Sequence, residues 1–142
     1  MLAVVRDLTV EWGDCDPAGI VFFPRYFEMF DISTNNLLEA AAGMNKAAIL
    51  RHYGILSIPL VETRAKFHAS SSYGDKVRIE SAFVELRRSS FDIAHKLMRG
   101  DQVAVESVET RVWVGRHPDD PQRRKAQPIP AELIGRFTST DR

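Results

Sequence analysis

The 142-residue chain has a single cysteine, Cys15, which excludes an intrachain disulfide framework. It has no net charge, because nineteen Lys and Arg face nineteen Asp and Glu. That balance gives no electrostatic footprint for nucleic acid as the main partner. It also weakens charge-based solubility, which points to self-association as a way of hiding surface. No apolar run approaches the roughly 20 residues that cross a bilayer, so no membrane partner is expected. The first residues, M-L-A-V-V-R-D, do not read as a signal peptide, and the expected location is the cytoplasm. There is no G-x-x-x-x-G-K-[ST] and no G-x-G-x-x-G, so nucleotide binding by those routes is unsupported. No repeat, low-complexity stretch or linker divides the chain, and one domain is expected over residues 1–142.

With 44% apolar and 27% charged residues, the composition is that of a globular protein with a real core. Residues 4–12 read as a first strand. Pro24 suits the first position of a helix, where its fixed φ helps and its missing N–H costs nothing. From there Tyr26, Phe27, Phe30, Leu37, Leu38 and Ala41 recur at helical spacing up to Gly43, a natural stop. A shorter helix over 45–53 ends near Gly54. Residues 60–69, 76–87, 91–99 and 102–115 are rich in alternating apolar and β-branched residues, with turns at Tyr73–Asp75, Arg88–Ser90 and Gly100–Asp101. They predict four strands in an antiparallel meander. His117–Gln127, rich in Pro, Asp and Arg, reads as a polar loop, and Ile129–Phe137 as a short terminal helix from Pro130. The fold class is α+β, with a long buried helix on an antiparallel sheet.

The chemistry concentrates in Trp12–Pro24, W-G-D-C-D-P-A-G-I-V-F-F-P. It joins a strand to a helix N-terminus, where backbone N–H groups are unpaired and carry partial positive charge. Such groups polarise a carbonyl oxygen while a nearby carboxylate attacks or activates water. Asp14 and Asp16 also suit turn formation, and Asp14 is read as structural. A metal site on these two acids lacks companion ligands, since hard cations want several oxygens. Cys15 has no identifiable base among the scattered His52, His68, His95 and His117, so it is read as packing. Phe22 and Trp12 are apolar pocket candidates, and Gly19 supplies backbone freedom or room for substrate.

The order of elements, with G-D-C-D-P-A-G-I-V-F-F-P, resembles the hot-dog-fold acyl-CoA thioesterases, and within them the 4-hydroxybenzoyl-CoA thioesterase group. Further patches of likeness are Ser57–Pro59 with the strand through Phe67, and Glu85–Phe91. The resemblance implies an antiparallel sheet wrapped around one long central helix. It implies hydrolysis of an acyl-CoA thioester, an aryl-CoA being favoured. By position, Asp16 becomes the catalytic acid, as nucleophile or general base. The helix N-terminus at Phe23 becomes the donor that polarises the carbonyl; the prototype's tyrosine hydroxyl is missing here. Gly19, Phe22, Ser57, Ile58 and Pro59 would line the acyl or pantetheine channel. Arg87 and Arg88 would meet nucleotide phosphates, with Ser89 where the family has a third basic residue. Taken alone, Arg87 and Arg88 read as solvated charge; the second basic run, Arg123–Lys125, suits either help with a 3′-phosphate or, the favoured reading, a solvated loop.

The same resemblance implies a homodimer assembling to a homotetramer, no metal, and no cofactor beyond coenzyme A as part of substrate and product. Rival expectations are a short-chain thioesterase of the Tol–Pal-associated type and a non-catalytic acyl-CoA-binding protein. The first usually has a histidine where this chain has Pro24. A hot-dog dehydratase would need a histidine beside the helix, and residues 12–30 contain none.

Overall fold

The structure, a computed structural model, describes residues 1–140; the last two residues of the expected domain lie outside them. The chain runs β1 (Ala3–Thr9), a 3-10 turn at Trp12–Asp14, α1 (Pro24–Ala42), α2 (Lys46–Tyr53), β2 (Leu60–Phe67), β3 (Lys76–Leu86), β4 (Ser90–Arg99), β5 (Gln102–Val112), β6 (Val114–His117), β7 (Asp120–Ala126) and α3 (Ala131–Thr138). Pro24 opens α1, and Gly43 closes it in a left-handed conformation, φ 72°, with its N–H donating to Glu39 O at 2.8 Å. A side chain there would be strained, so the glycine fixes where the helix ends. Asn45 caps α2 by accepting from Ala48 N–H at 2.9 Å.

Five strands form one antiparallel sheet in the order β1-β3-β4-β5-β2. This corrects the expected four-strand meander: β3, β4 and β5 follow one another, but β2 pairs with β5 at the far edge, Phe67 opposite Val105. The reason lies in residues 68–75. Val21 N–H donates to Ser71 O at 2.9 Å and Gly74 N–H to Val10 O at 2.9 Å. That segment therefore crosses the end of the sheet and carries the chain over to β3, which pairs with β1.

Two further expectations are corrected. The first strand ends at Thr9 rather than 12, because residues 12–14 coil into the 3-10 turn. The supposed polar loop at His117–Gln127 is largely β-structure: β6 and β7 pair as a separate two-stranded ribbon, Gly115 opposite Lys125 and Arg116 opposite Arg124. Backbone pairing holds a ribbon whose side chains are mostly exposed, so its polarity hid it.

Inward positions on the strands meet α1 and α3 in two apolar clusters. One gathers Val21, Tyr26, Met29, Phe30, Val77, Ile79, Leu97 and Val105 near the start of α1. The other gathers Leu37, Leu38, Phe83, Phe91, Trp113, Leu133 and Phe137 at the opposite end. Within it, Phe137 stacks on Phe83 with ring centres 4.0 Å apart, which docks α3 on the sheet. Side chains of this size contribute about 1.5–3 kcal/mol each when fully buried.

Candidate active site

The loop between β1 and α1 is built by its own backbone and its two acids. Asp14 accepts from Glu11 N–H at 2.9 Å, and its carbonyl accepts from Phe22 N–H at 2.8 Å. Asp14 thus closes the turn. Asp16 Oδ1 accepts from Ala18 N–H at 2.9 Å, while its carbonyl accepts from Gly19 N–H at 2.9 Å. Gly19 turns the chain at φ 80°, a conformation that favours glycine. Asp16 Oδ2 has no hydrogen-bond partner among the described residues, so one carboxylate oxygen stays available. Cys15 is half-buried, with its thiol 3.6 Å from Glu11 O.

Phe23 caps α1 with helical backbone angles, φ −53° and ψ −35°. Its N–H finds no acceptor among the described residues. The next residue, Pro24, has no N–H at all, and Arg25 and Tyr26 donate to Phe22 O and Phe23 O at 2.8 and 3.1 Å. Phe23 therefore presents the one uncommitted backbone donor of this first turn, at the positive end of a 19-residue helix. A carbonyl oxygen placed there gains both a hydrogen bond and the helix field.

Around that donor the surface is aromatic. Phe22 and Phe23 are 49% and 59% exposed and meet edge to face. Phe67, on the edge strand, contacts Phe23, Tyr26 and Phe27 with ring centres 5.8–6.5 Å apart. A cavity of about 260 Å³ opens beside Val21, Phe23, Tyr26, Phe67 and His68. Farther along the same groove, between α1 and β2, a second cavity of about 410 Å³ is lined by Phe27, Phe30, Asp31, Leu60, Thr63 and Arg111. Burial pushes the Tyr26 phenol above its ordinary value.

Between the two apolar clusters lies a polar layer. His95 Nε2 is 2.5 Å from Glu109 Oε1, and its Nδ1 is 2.6 Å from Ser81 Oγ. Thr34 Oγ1 donates to Glu109 Oε1 at 2.8 Å, and Phe30 stacks on the imidazole. Arg111 donates from Nε to Glu109 Oε2 at 2.5 Å, from Nη1 to Ile58 O at 3.3 Å and from Nη2 to Asp31 Oδ1 at 2.8 Å. Burial alone would raise the Glu109 carboxyl, but hydrogen bonds and charge from His95 and Arg111 outweigh it and hold it below the usual carboxylate value.

The candidate residues fall into two sets. Asp16, Gly19, Phe22 and Phe23 meet at the end of the sheet where β3 begins. Ser57, Ile58, Pro59, Arg87, Arg88 and Ser89 lie at the other end: Pro59 O accepts from Val112 N–H, and Ser89 O accepts from Trp113 N–H. Ile58 is buried in the core, and Ser57 Oγ is buried with no hydrogen-bond partner. Arg87 is committed to Asp92, Nη2 to Oδ1 at 2.5 Å, and to Ser90 Oγ at 2.8 Å; the Arg88 side chain is exposed. The hydrogen bonds from Arg87 hold the Asp92 carboxyl below its usual value.

Sequence reasoning missed Tyr26, Phe67 and His68 as cavity walls, and Asp31 and Arg111 as its polar end. Glu109 and Arg111 carried a signal, being charged residues on the inward parity of β5. Among the described residues no cluster of three or more His, Cys, Asp and Glu is placed to hold a metal ion. No helix among the described residues is long and apolar enough to cross a membrane.

Residues 10–137 match the model of the thioesterase-like superfamily. The 4-hydroxybenzoyl-CoA thioesterase of Pseudomonas sp. strain CBS-3 is 35% identical over 137 residues, covering 93% of this chain and 95% of that protein. A crystal structure of an aspartate-to-asparagine mutant of 4-hydroxybenzoyl-CoA thioesterase, complexed with 4-hydroxybenzoyl-CoA, superimposes with a TM-score of 0.86 at 29% identity, covering 96% of this chain and 99% of the other. A gentisyl-coenzyme A thioesterase structure superimposes with a TM-score of 0.79 at 29% identity, covering 96% and 100%. A shared architecture, five antiparallel strands with one long helix packed on them, and this likeness along almost the whole length lead to one conclusion: the chain belongs to the thioesterase-like superfamily, in the 4-hydroxybenzoyl-CoA thioesterase-like group of hot-dog-fold acyl-CoA thioesterases.

Proposed function

We propose that the protein hydrolyses an aryl-CoA thioester of the 4-hydroxybenzoyl type to the carboxylic acid and free coenzyme A. The observation that carries this reading is the junction where the Asp16 carboxylate and the uncommitted Phe23 N–H share one short loop at the mouth of an aromatic groove. The thioester carbonyl accepts the Phe23 N–H, and negative charge developing on that oxygen is stabilised by the donor and the helix end. Asp16 then acts in one of two ways. Its carboxylate attacks the carbonyl carbon, the C–S bond breaks, the thiolate leaves and takes a proton, and water opens the mixed anhydride. Alternatively, Asp16 takes a proton from a water that attacks directly, and the C–S bond breaks as before. In both, the aryl group lies in the groove between α1 and β2.

The second set of residues serves a site in another copy of the chain. Within one chain it is separated from Asp16 by the length of β3, 11 residues or about 33 Å at the rise of a strand. That is longer than an extended pantetheine arm. The open edge at β2, with Val61 58% exposed, offers a surface for pairing with a second copy. A dimer, with two dimers forming a tetramer, would bring the two sets into shared sites.

The experiment is release of free thiol from benzoyl-, 4-hydroxybenzoyl-, phenylacetyl- and short aliphatic-CoA by the unmutated protein and Asp16→Asn. The expected result is fast turnover of an aryl thioester and a loss of roughly 100-fold or more in kcat for the variant. No turnover of any thioester, or equal rates in both proteins, overturns the reading in favour of an acyl-CoA-binding protein.

A further inference from the structure

The groove between α1 and β2 is divided in two. The cavity beside the Phe23 donor is walled by Val21, Phe23, Tyr26 and Phe67, and the larger one farther along by Phe27, Phe30, Leu60 and Thr63. Among the described residues none lines both. Where the two would join, the Phe67 and Phe27 rings meet edge to face, 6.5 Å between centres at 85°.

Strand parity puts Phe67 there. It pairs with Val105 and Thr63 pairs with Glu109, both buried, so Phe67, Ala65 and Thr63 share the inner face of β2. Ala65, between the other two, carries only a methyl group. Without the Phe67 ring the trough would run on over Ala65 to Thr63. Helix spacing supplies the other half of the barrier: Phe27 stands one turn beyond Phe23, about 6 Å along α1. Phe67 is 50% exposed, so the core does not demand a ring at this position. Contacts with Phe23, 6.4 Å at 77°, and with Tyr26, 5.8 Å at 45°, nevertheless fix its orientation across the groove.

We propose that the Phe67–Phe27 pair is a specificity-determining partition: it confines the acyl group to the cavity beside Phe23, accepting one aromatic ring and refusing a group one ring longer. With its thioester carbonyl on the Phe23 N–H, an acyl group has one helical turn to lie along before it meets the two rings. A single ring packs against their edges. A second ring in line would have to displace Phe67 and break its three aromatic contacts. The place of the carbonyl rests on the thioesterase reading above; the partition does not.

The test compares the unmutated protein with Phe67→Ala, Phe67→Leu and Lys66→Ala, the last a neighbour on the outer face of β2, opposite Glu106. One arm measures kcat/KM for benzoyl-CoA and for biphenyl-4-carbonyl-CoA, whose second ring lies in line with the first. The other titrates the non-hydrolysable thioethers S-phenacyl-CoA and S-(4-phenylphenacyl)-CoA by calorimetry, which reads the same fit without turnover. The unmutated protein should favour the one-ring thioester by about 100-fold or more in kcat/KM. Phe67→Ala should cut that preference about 10-fold or more by raising kcat/KM and affinity for the two-ring compounds, and Phe67→Leu should cut it less. Lys66→Ala should keep it. Phe67→Leu, which retains an apolar side chain, carries the test if the alanine variant does not fold. Equal use of both thioesters by the unmutated protein, or a preference unchanged in the Phe67 variants, overturns the partition while the thioesterase reading stands. If no thioester is turned over but the Phe67 variants still gain affinity for the two-ring thioether, that reading falls and the partition stands. If neither thioether binds any of the proteins, both fall.

Discussion

The His95 imidazole and the Glu109 carboxylate face each other at 2.5 Å in the middle of the core, with neither open to solvent. Glu109 also takes Arg111 at 2.5 Å, and Arg111 reaches outward to Asp31 at the rim of the larger cavity. A buried pair of this kind is costly to break by removing one charge. Glu109→Gln should lower the unfolding free energy by about 3–5 kcal/mol, read from urea denaturation. A loss below about 1 kcal/mol would mean that Arg111 finds compensation elsewhere.

Acid should weaken the fold through the same group. Glu109 titrates below its unfolded value in the native state, so its contribution is fully present above the ordinary carboxylate range, about 4.3, and is lost as pH falls through the lower native value. Asp92, held down by Arg87, adds a smaller contribution of the same sign, reduced by its solvent exposure. Urea midpoints of the unmutated protein should drop on acidification below about pH 4.3, and Glu109→Gln should show a shallower slope. Parallel slopes in the two proteins would remove Glu109 from this account.

At Phe23 the backbone should matter more than the ring. Phe23→Tyr keeps the N–H and should leave kcat within about 3-fold, whereas Phe23→Pro removes the donor at a φ of −53° that proline accepts and should cost about 100-fold or more. Circular dichroism verifies that both variants fold. Similar kcat values for the two would place the oxyanion donor elsewhere.

Gly19 is a conformational rather than a steric requirement. A Cβ there would meet nothing within 4 Å, yet the backbone stands at φ 80°. Gly19→Ala should therefore cost about 1–2 kcal/mol locally. Because Gly19 N–H is bonded to Asp16 O, the relaxation displaces Asp16, and kcat should fall more than thermal stability does. An unchanged kcat would show that Asp16 keeps its position without the turn.

Much of this architecture is legible where a local rule has one outcome. Pro24 and Gly43 mark both ends of α1 because ring closure and a left-handed φ leave little choice. Strand alternation at Val77/Ile79 and Phe91/Ile93 reports the buried face. The Asp16–Phe23 junction is legible for the same reason, as a turn followed by a helix start. What escaped depends on pairing between distant segments. The partner of β2 is decided by residues 68–75 docking on the loop beside Val10 and Val21, which no pattern within β2 encodes. The β6–β7 ribbon was hidden because Arg, Asp and Pro signal a loop, while its backbone hydrogen bonds leave no trace in composition. His95 looked isolated in the sequence; in that network Thr34 lies 61 residues from His95 and 75 from Glu109.

The polar layer also acts as a depth gauge. Thr34 on α1 is hydrogen-bonded to Glu109 on the sheet, and it sits 11 residues beyond Phe23, about 16 Å at the rise of a helix. Sliding α1 by a single residue would rotate Thr34 by about 100° and take one hydrogen bond from a buried carboxylate. In an oily interface, where leucines interchange at little cost, such a slip would be tolerated. Here one threonine–glutamate contact, far from the helix's first turn, sets how far the front of the helix projects, and with it where the Phe23 N–H stands.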